Sequence, residues 1–289
     1  MKLIRLHIIL VFVLTASCVS AQQDYWKWNK HGNFYFSWGY SKWWYPKTDI
    51  RFDLNSTDPN SRSIHTTYTL KDCYAHDAAW ISQIAVMPLT VPQFCTRIGY
   101  FFNKDQSLGI EFTYDHAKFV VNTDQYVEMK GNTNGVAFDS TAHLYPDSEP
   151  GTQPFIFKLN NGANFFAFTL IKKFKLFENK KGNFSLHYLL KGGAGWNIPH
   201  VENDIFGVKN DPHFQPFSGW NVGVEGALRL LFFNRTYLEF GQKGVYASYY
   251  NLKLAQGTAR VHFFTYGTIL SLGCNFPGKV NNSITTNAE

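Results

Sequence analysis

The chain has 289 residues, a formal net charge of +6 and an aromatic content of 18%. Its 27 basic and 21 acidic residues are scattered among one another instead of forming a basic stripe, which argues against a nucleic-acid partner. Beyond the amino-terminal apolar stretch, no run reaches the roughly 18 to 20 apolar residues that a membrane helix requires.

The amino terminus predicts a secretory leader. Lys2 and Arg5 precede an apolar stretch centred on residues 8–14, and Val19-Ser20-Ala21 supplies the small residues of a cleavage site. We therefore expect residues 1–21 to be a signal peptide, whose removal lowers the net charge from +6 to +4 because two basic residues leave with it. A lipoprotein leader cleaved before Cys18 is the alternative.

An alternation of apolar and polar residues recurs along the mature chain. From residue 220 to 230 the even positions are apolar or glycine, whereas the odd positions include Asn221, Glu225 and Arg229. Because strand side chains point alternately to opposite faces, one face is apolar and the other carries charge. Eight such segments are predicted as strands, each long enough to cross a membrane: 33–44, 93–103, 106–121, 162–176, 183–198, 217–232, 235–251 and 260–275.

The connections between these strands alternate in length. Tight turns follow the second, fourth and sixth strands, whereas longer polar segments cover 45–92, 122–161, 199–216 and 252–259. Bacterial outer-membrane barrels place short turns in the periplasm and long loops outside. The sequence therefore predicts an all-β fold, an antiparallel up-and-down transmembrane β-barrel of about eight strands within residues 22–276, followed by a polar tail over 277–289. Ten strands remain an alternative, because residues 64–76 could pair within the first loop.

The two predicted faces differ in chemistry. Apolar side chains at even positions are assigned to lipid, and aromatics at the strand ends are assigned to two interfacial belts that include Trp43, Trp44, Tyr237 and Tyr249. The charged side chains assigned to the barrel interior are Arg97, Glu111, Asp115, His187, Lys191, Glu225, Arg229, Glu239 and Lys243. An eight-stranded barrel has room inside only for side chains, so these charges are expected to pair in a packed polar interior.

The chain resembles the eight-stranded outer-membrane barrels, and in particular uncharacterised barrel proteins of Bacteroidota. The stretches that carry the resemblance are 32–40, 68–72 and 97–102, with the leader junction at Ala21-Gln22. The resemblance implies the fold and a location in the outer membrane of a Gram-negative bacterium. It implies no activity, because fold does not determine function.

Signals for catalysis and for metal or cofactor binding are weak. Some outer-membrane barrels are acyl hydrolases with a His-x-Ser pair, and the nearest equivalent here, His262 and Thr265, has a different spacing and an outward-facing histidine. His143, His200 and His213 lie in different loops, and we expect no metal site and no cofactor. Cys73, Cys95 and Cys274 are expected as free thiols, with a Cys73–Cys95 bridge as the alternative.

These observations favour a non-enzymatic protein with a structural or surface-interaction role. The expected partners are outer-membrane lipid and lipopolysaccharide, together with an envelope protein or an extracellular ligand that contacts loops 45–92 and 122–161. A lipid A acyl-hydrolase-like enzyme at the outer rim, a narrow channel and a soluble secreted β-sandwich are the alternatives.

Overall fold

A computed structural model describes residues 34–57, 63–77, 93–103, 105–146 and 150–276. The predicted signal peptide and the polar tail lie outside these residues. The described residues form β-strands connected by turns and irregular segments, and they contain no helix long and apolar enough to cross a membrane. The strands are β1 (Phe34–Trp44), β2 (Thr48–Thr57), β3 (Ser63–Cys73), β4 (Ala75–His76), β5 (Phe94–Phe101), β6 (Leu108–Asp115), β7 (Phe119–Val121), β8 (Gln125–Thr133), β9 (Val136–Leu144), β10 (Phe155–Leu159), β11 (Phe165–Glu178), β12 (Phe184–Asn197), β13 (His200–Ile205), β14 (Val208–Lys209), β15 (His213–Phe214), β16 (Gly219–Phe232), β17 (Thr236–Leu254) and β18 (Gly257–Asn275).

Eight of these strands close into a ring. Their order is β1, β5, β6, β11, β12, β16, β17 and β18, and β18 pairs in turn with β1. Every pairing around the ring is antiparallel. The predicted eight-stranded antiparallel barrel is therefore confirmed. The alternative of ten strands depended on residues 64–76, most of which belong to β3, and β3 lies outside the ring.

The predicted strand bounds agree with the structure to within three residues, with one exception. The third predicted strand, 106–121, is two strands: β6 ends at Asp115 and β7 begins at Phe119. The alternation continues in phase across the interruption, because Ala117 and Phe119 are both buried. Pattern alone therefore gave no sign that β7 leaves the barrel to pair with β10 and β4.

The long connections 45–92, 122–161 and 199–216, which were predicted as polar segments between the barrel strands, contain strands of their own. At the long-loop end of the barrel, β2 pairs with β18 and continues the barrel sheet outward through β3, β8 and β9. A second sheet runs in the order β14, β13, β10, β7 and β4, and β15 also pairs with β13. We call these ten strands the cap. Some of these strands pair within one loop, as β2 does with β3 and β8 with β9, whereas the pairings of β3 with β8 and of β10 with β13 join different loops.

The cap shares one apolar core with the mouth of the barrel. Phe119 of the cap stacks on Phe263 of β18 with ring centroids 4.8 Å apart, and Tyr45 packs edge-on against both rings. Trp43 of β1 packs edge-on against Phe165 of β11 in the same core. The long-loop end of the barrel is thus filled by apolar side chains.

The outward face of the ring is mainly apolar, with a few polar side chains such as Lys172, Gln242 and Thr268 among the apolar ones. Most of the exposed large apolar side chains of the ring strands are at even positions, as predicted, and include Phe34, Ile98, Leu108, Phe168, Leu170, Phe174, Leu190, Val222, Val224, Leu228, Leu238, Phe240, Phe264, Leu270 and Leu272. Phe177, which follows a register shift in β11, is an exposed exception at an odd position. Three side chains assigned to the aromatic belts are instead buried inside, namely Trp43, Tyr237 and Tyr249. All three occupy odd positions, so the alternation alone predicts that they face inward. They were assigned to the interfacial belts only because they are aromatic.

Candidate functional site

The barrel interior holds a compact ion-pair network centred on Lys191. Its ammonium lies 2.7 Å from Glu239, 3.0 Å from Glu225 and 3.3 Å from Glu111. The Lys191 side chain has no solvent exposure. One cation therefore holds three carboxylates together in a closed space.

A second part of the network lies towards the long-loop end. The Arg97 guanidinium lies 2.6 Å from Asp115, and Lys243 donates a hydrogen bond to the other oxygen of Asp115 at 2.7 Å. Arg97 also approaches Glu111 at 3.6 Å and Glu225 at 3.8 Å, which joins this part to Lys191. Asp115 is completely buried, so its charge is compensated by protein cations alone.

The remaining ion pair joins Arg229 to Glu239. The Arg229 Nε donates to Glu239 at 2.6 Å, and its guanidinium packs over the rings of Tyr35 and Tyr237. Tyr35 in turn donates to Glu111 at 2.7 Å. The network thus has four cations and four carboxylates, and its formal charge is zero when all eight are ionised.

Strand register explains several of these contacts. Lys191 is directly opposite Glu225 in the pairing of β12 with β16, and Arg229 is directly opposite Glu239 in the pairing of β16 with β17. Lys243 is also directly opposite Glu225. Directly paired side chains lie close enough to interact, so opposite charges at these positions stabilise the register.

Eight of the nine predicted interior side chains belong to this network, and His187 does not. His187 is buried near the short-turn end, where its ring lies 2.9 Å from the Ser185 hydroxyl. An apolar cluster fills the interior at that end, formed by Tyr35, Phe101, Ile171, Leu189, Ala227, Leu231 and Tyr237. The ionic layer therefore lies between two apolar layers.

The structure does not bring His262 and Thr265 together as a catalytic pair. His262 is exposed on the outward face of β18, whereas Thr265 is fully buried on the inward face. The Thr265 hydroxyl donates to the carbonyl oxygen of Trp44 at 2.8 Å. A hydroxyl on the opposite face from the imidazole cannot pass it a proton, so this arrangement supports no acyl-transfer chemistry.

Among the described residues, no three His, Cys, Asp or Glu side chains are grouped so that they could hold a metal ion. Cys73, Cys95 and Cys274 are free and buried. Burial raises the pKa of the Cys73 thiol, which lies in the cap, to about 12. A thiol of this kind is unreactive at neutral pH.

The cap carries its own ion pairs. Partial burial raises the pKa of Glu202, but hydrogen bonds from Lys158 at 2.8 Å and Asn160 at 3.3 Å outweigh it and lower the pKa overall. The pKa of Asp49 is likewise lowered, because Lys71 and the backbone N–H of Asp72 outweigh partial burial. These pairs connect neighbouring cap strands, since Lys158 is directly opposite Glu202.

Two features of the interior were not predicted from the sequence, namely the role of Tyr35 in the ionic network and the apolar core of the cap. Tyr35 was not assigned to the charged interior, although its odd position in β1 places it there. The cap core was also missed, although 50–52, 68–70 and 157–159 each alternate apolar and polar residues. That alternation was the available signal, and the polar composition of the surrounding loops concealed it.

Comparison with known proteins leaves the family open. No protein-family model matches the chain, and no curated protein matches it. Similar solved structures include the outer membrane protein OprG from Pseudomonas aeruginosa, with 10% identity over 86% of this chain and 97% of that chain and a TM-score of 0.33. Ail, the attachment invasion locus protein of Yersinia pestis, is 12% identical over 83% of this chain and 99% of that chain, with a TM-score of 0.28. Outer membrane protein AlkL is 14% identical over 88% of this chain and 93% of that chain, with a TM-score of 0.32. At such TM-scores these similarities carry no argument, and the barrel rests on the strand pairing of this chain.

Proposed function

We propose that this chain is an integral protein of the outer membrane of a Gram-negative bacterium, in which a closed barrel anchors the cap at the cell surface. The single observation that carries the proposal is the closed eight-stranded ring with apolar side chains outside and ion pairs inside. A soluble sheet protein would bury its apolar face and expose its charges, which is the reverse arrangement.

The cap is the proposed functional surface. The apolar outward face of the ring, which we call the apolar belt, faces lipid, and the interior is filled. The cap therefore presents most of the polar surface that a partner can contact at the long-loop end. The cap includes parts of the loops 45–92 and 122–161, for which we propose contacts with outer-membrane lipid and with an envelope protein or an extracellular ligand. A structural or surface-interaction role fits a folded cap better than a channel or an enzyme does.

Planar-bilayer recording tests the closed interior. We expect no stepwise conductance from the folded protein at any applied voltage, because two apolar layers and a compensated ionic layer fill the pore. Reproducible single-channel openings from pure protein would contradict the proposal of a non-conducting anchor. A porin recorded in the same bilayers is the positive control.

Protease treatment of whole cells tests the orientation. Cleavage within the described cap segments by external protease, with the barrel fragment retained in the outer-membrane fraction, is the expected result. Cleavage only after the outer membrane is broken would contradict a surface location of the cap.

A further inference from the structure

Two exposed arginines face each other on the outer surface of the sheet at the long-loop end. Arg260 of β18 is directly opposite Arg51 of β2 in their antiparallel pairing, and both side chains are exposed. Side chains in such a pair have Cβ atoms about 4.5 to 5.5 Å apart, and like charges at this separation repel each other. The sheet therefore holds two positive charges where its own stability does not favour them.

Within the described ranges, no carboxylate compensates this pair. Among the described residues, neither guanidinium lies within ion-pairing distance of an acidic side chain. The acidic neighbours on β2 have other partners, since Asp49 pairs with Lys71 and Asp53 pairs with His65. As far as the described part of the chain is concerned, both arginines thus keep their donors for an external anion.

A third cation extends the pair onto the next strand. Lys253 of β17 is directly opposite Thr258 of β18, two residues from Arg260 on the same face. Lys253 is exposed, and within the described part of the chain its ammonium makes no ion pair. We call Arg51, Arg260 and Lys253 the cation row, which crosses three adjacent strands.

The cation row lies just beyond the apolar belt. On β18 the exposed outward side chains between Phe276 and Phe264 span roughly 40 Å of strand, or about 28 Å in height at a tilt of 45°, close to the roughly 25 Å apolar band of such barrels. Arg260 lies four positions before Phe264 on β18, which places it about 9 Å further towards the long-loop end at the same tilt. This is the level at which lipid headgroups meet the protein.

We infer that the cation row binds a phosphate of the glycolipid in the outer leaflet, the phosphorylated lipid A part of lipopolysaccharide. Planar guanidinium groups are suited to paired hydrogen bonds with phosphate, and an anion between them relieves the repulsion of the two arginines. The neighbouring aromatic side chains Phe264 and Tyr266 lie where they would contact the acyl chains of the same lipid. This inference rests on the proposed outer-membrane location.

Lipid A binding to the detergent-folded full chain tests the inference, with three probes and two variants. We expect R51Q/R260Q to bind diphosphorylated lipid A about tenfold more weakly than the unmodified chain, because two charge-assisted contacts are lost. The control K180Q/K181Q removes two exposed cations from the turn at the opposite end of the barrel and should bind normally. The unmodified chain should also bind enzymatically dephosphorylated lipid A more weakly, which needs no variant.

Three results would overturn the inference: equal binding by R51Q/R260Q, equal binding of dephosphorylated lipid A, or complete displacement of lipid A by millimolar inorganic phosphate, which would indicate a small-anion site only. Each sample is also run with and without boiling. If boiling changes the mobility but lipid A binding does not depend on its phosphates, the cation row is rejected as the binding site and the barrel is still supported. The absence of a shift in the unmodified chain rejects the proposed location itself.

Discussion

At the scale of single residues, the odd or even position of a residue in its strand determines whether its side chain faces inward or outward. The type of side chain does not determine this. Phe263 and Phe264 are adjacent and identical, yet Phe263 is buried in the core shared by barrel and cap whereas Phe264 is exposed on the outer face. The same rule predicted that the charged odd-numbered side chains lie inside. It could not predict which carboxylate meets Lys191, because contacts such as the one with Glu111 of β6 reach past the intervening strand β11 and depend on how the strands are staggered.

Removing the central cation of the network should be costly. The variant K191M leaves Glu111, Glu225 and Glu239 without their shared partner, so we expect the free energy of unfolding to fall by about 3 to 5 kcal/mol. Urea unfolding of the protein folded in phospholipid vesicles measures the change. The double variant K191M/E239Q restores charge balance and should recover part of the loss, whereas K181M in an exposed turn should change stability by less than about 0.5 kcal/mol. A K191M loss below 1 kcal/mol would show that the network does not depend on this cation.

At the scale of elements, the barrel strands were predictable and the cap strands were not. Lipid on one side and a narrow interior on the other impose a strict alternation on each barrel strand, so β12 and β16 differ from their predicted bounds by at most two residues. Cap strands such as β7 and β10 are short and pair with each other across long sequence separations. Their burial depends on partners that a local pattern does not contain.

The contact between cap and barrel should depend on one aromatic side chain. Truncation of a buried Phe typically costs about 3 to 5 kcal/mol, and F263A removes the ring that stacks on Phe119 and packs against Tyr45. We expect F263A to increase the rate at which protease cleaves the cap while the barrel remains folded. F264A is the matched control and should leave the cleavage rate unchanged, because that ring faces outward. Equal cleavage rates for the two variants would contradict the shared core.

Acidification should loosen the second sheet of the cap through Glu202. A carboxyl whose pKa is lowered on folding contributes stability above its unfolded pKa, and this contribution is lost as the pH falls through the folded pKa. Hydrogen exchange of the amides in β10 and β13 should therefore accelerate between about pH 6 and about pH 3.5, after correction for intrinsic rates. E202Q should exchange faster at pH 6 and lose this extra acid-dependent step. An identical pH response in E202Q would exclude the pair of Glu202 with Lys158 as its cause.

At the scale of the whole molecule, three layers close the barrel from one end to the other. Tyr237 and its apolar neighbours fill the short-turn end, the ionic network fills the middle, and the apolar core that includes Phe263 joins the long-loop end to the cap. Burying eight charges in the middle layer is tolerable because they compensate one another. The sequence predicted this ring and its filled interior, whereas the cap that closes its mouth emerged only from the three-dimensional pairing.

The electrophoretic mobility of the detergent-purified full chain with and without boiling, after fractionation of the cell envelope, tests the membrane barrel itself. A closed barrel stays folded in the detergent until it is boiled, so we expect recovery from the outer-membrane fraction and faster migration of the unboiled protein. Recovery from the soluble periplasmic fraction with the same mobility before and after boiling would contradict the membrane barrel and the assignment of its two faces.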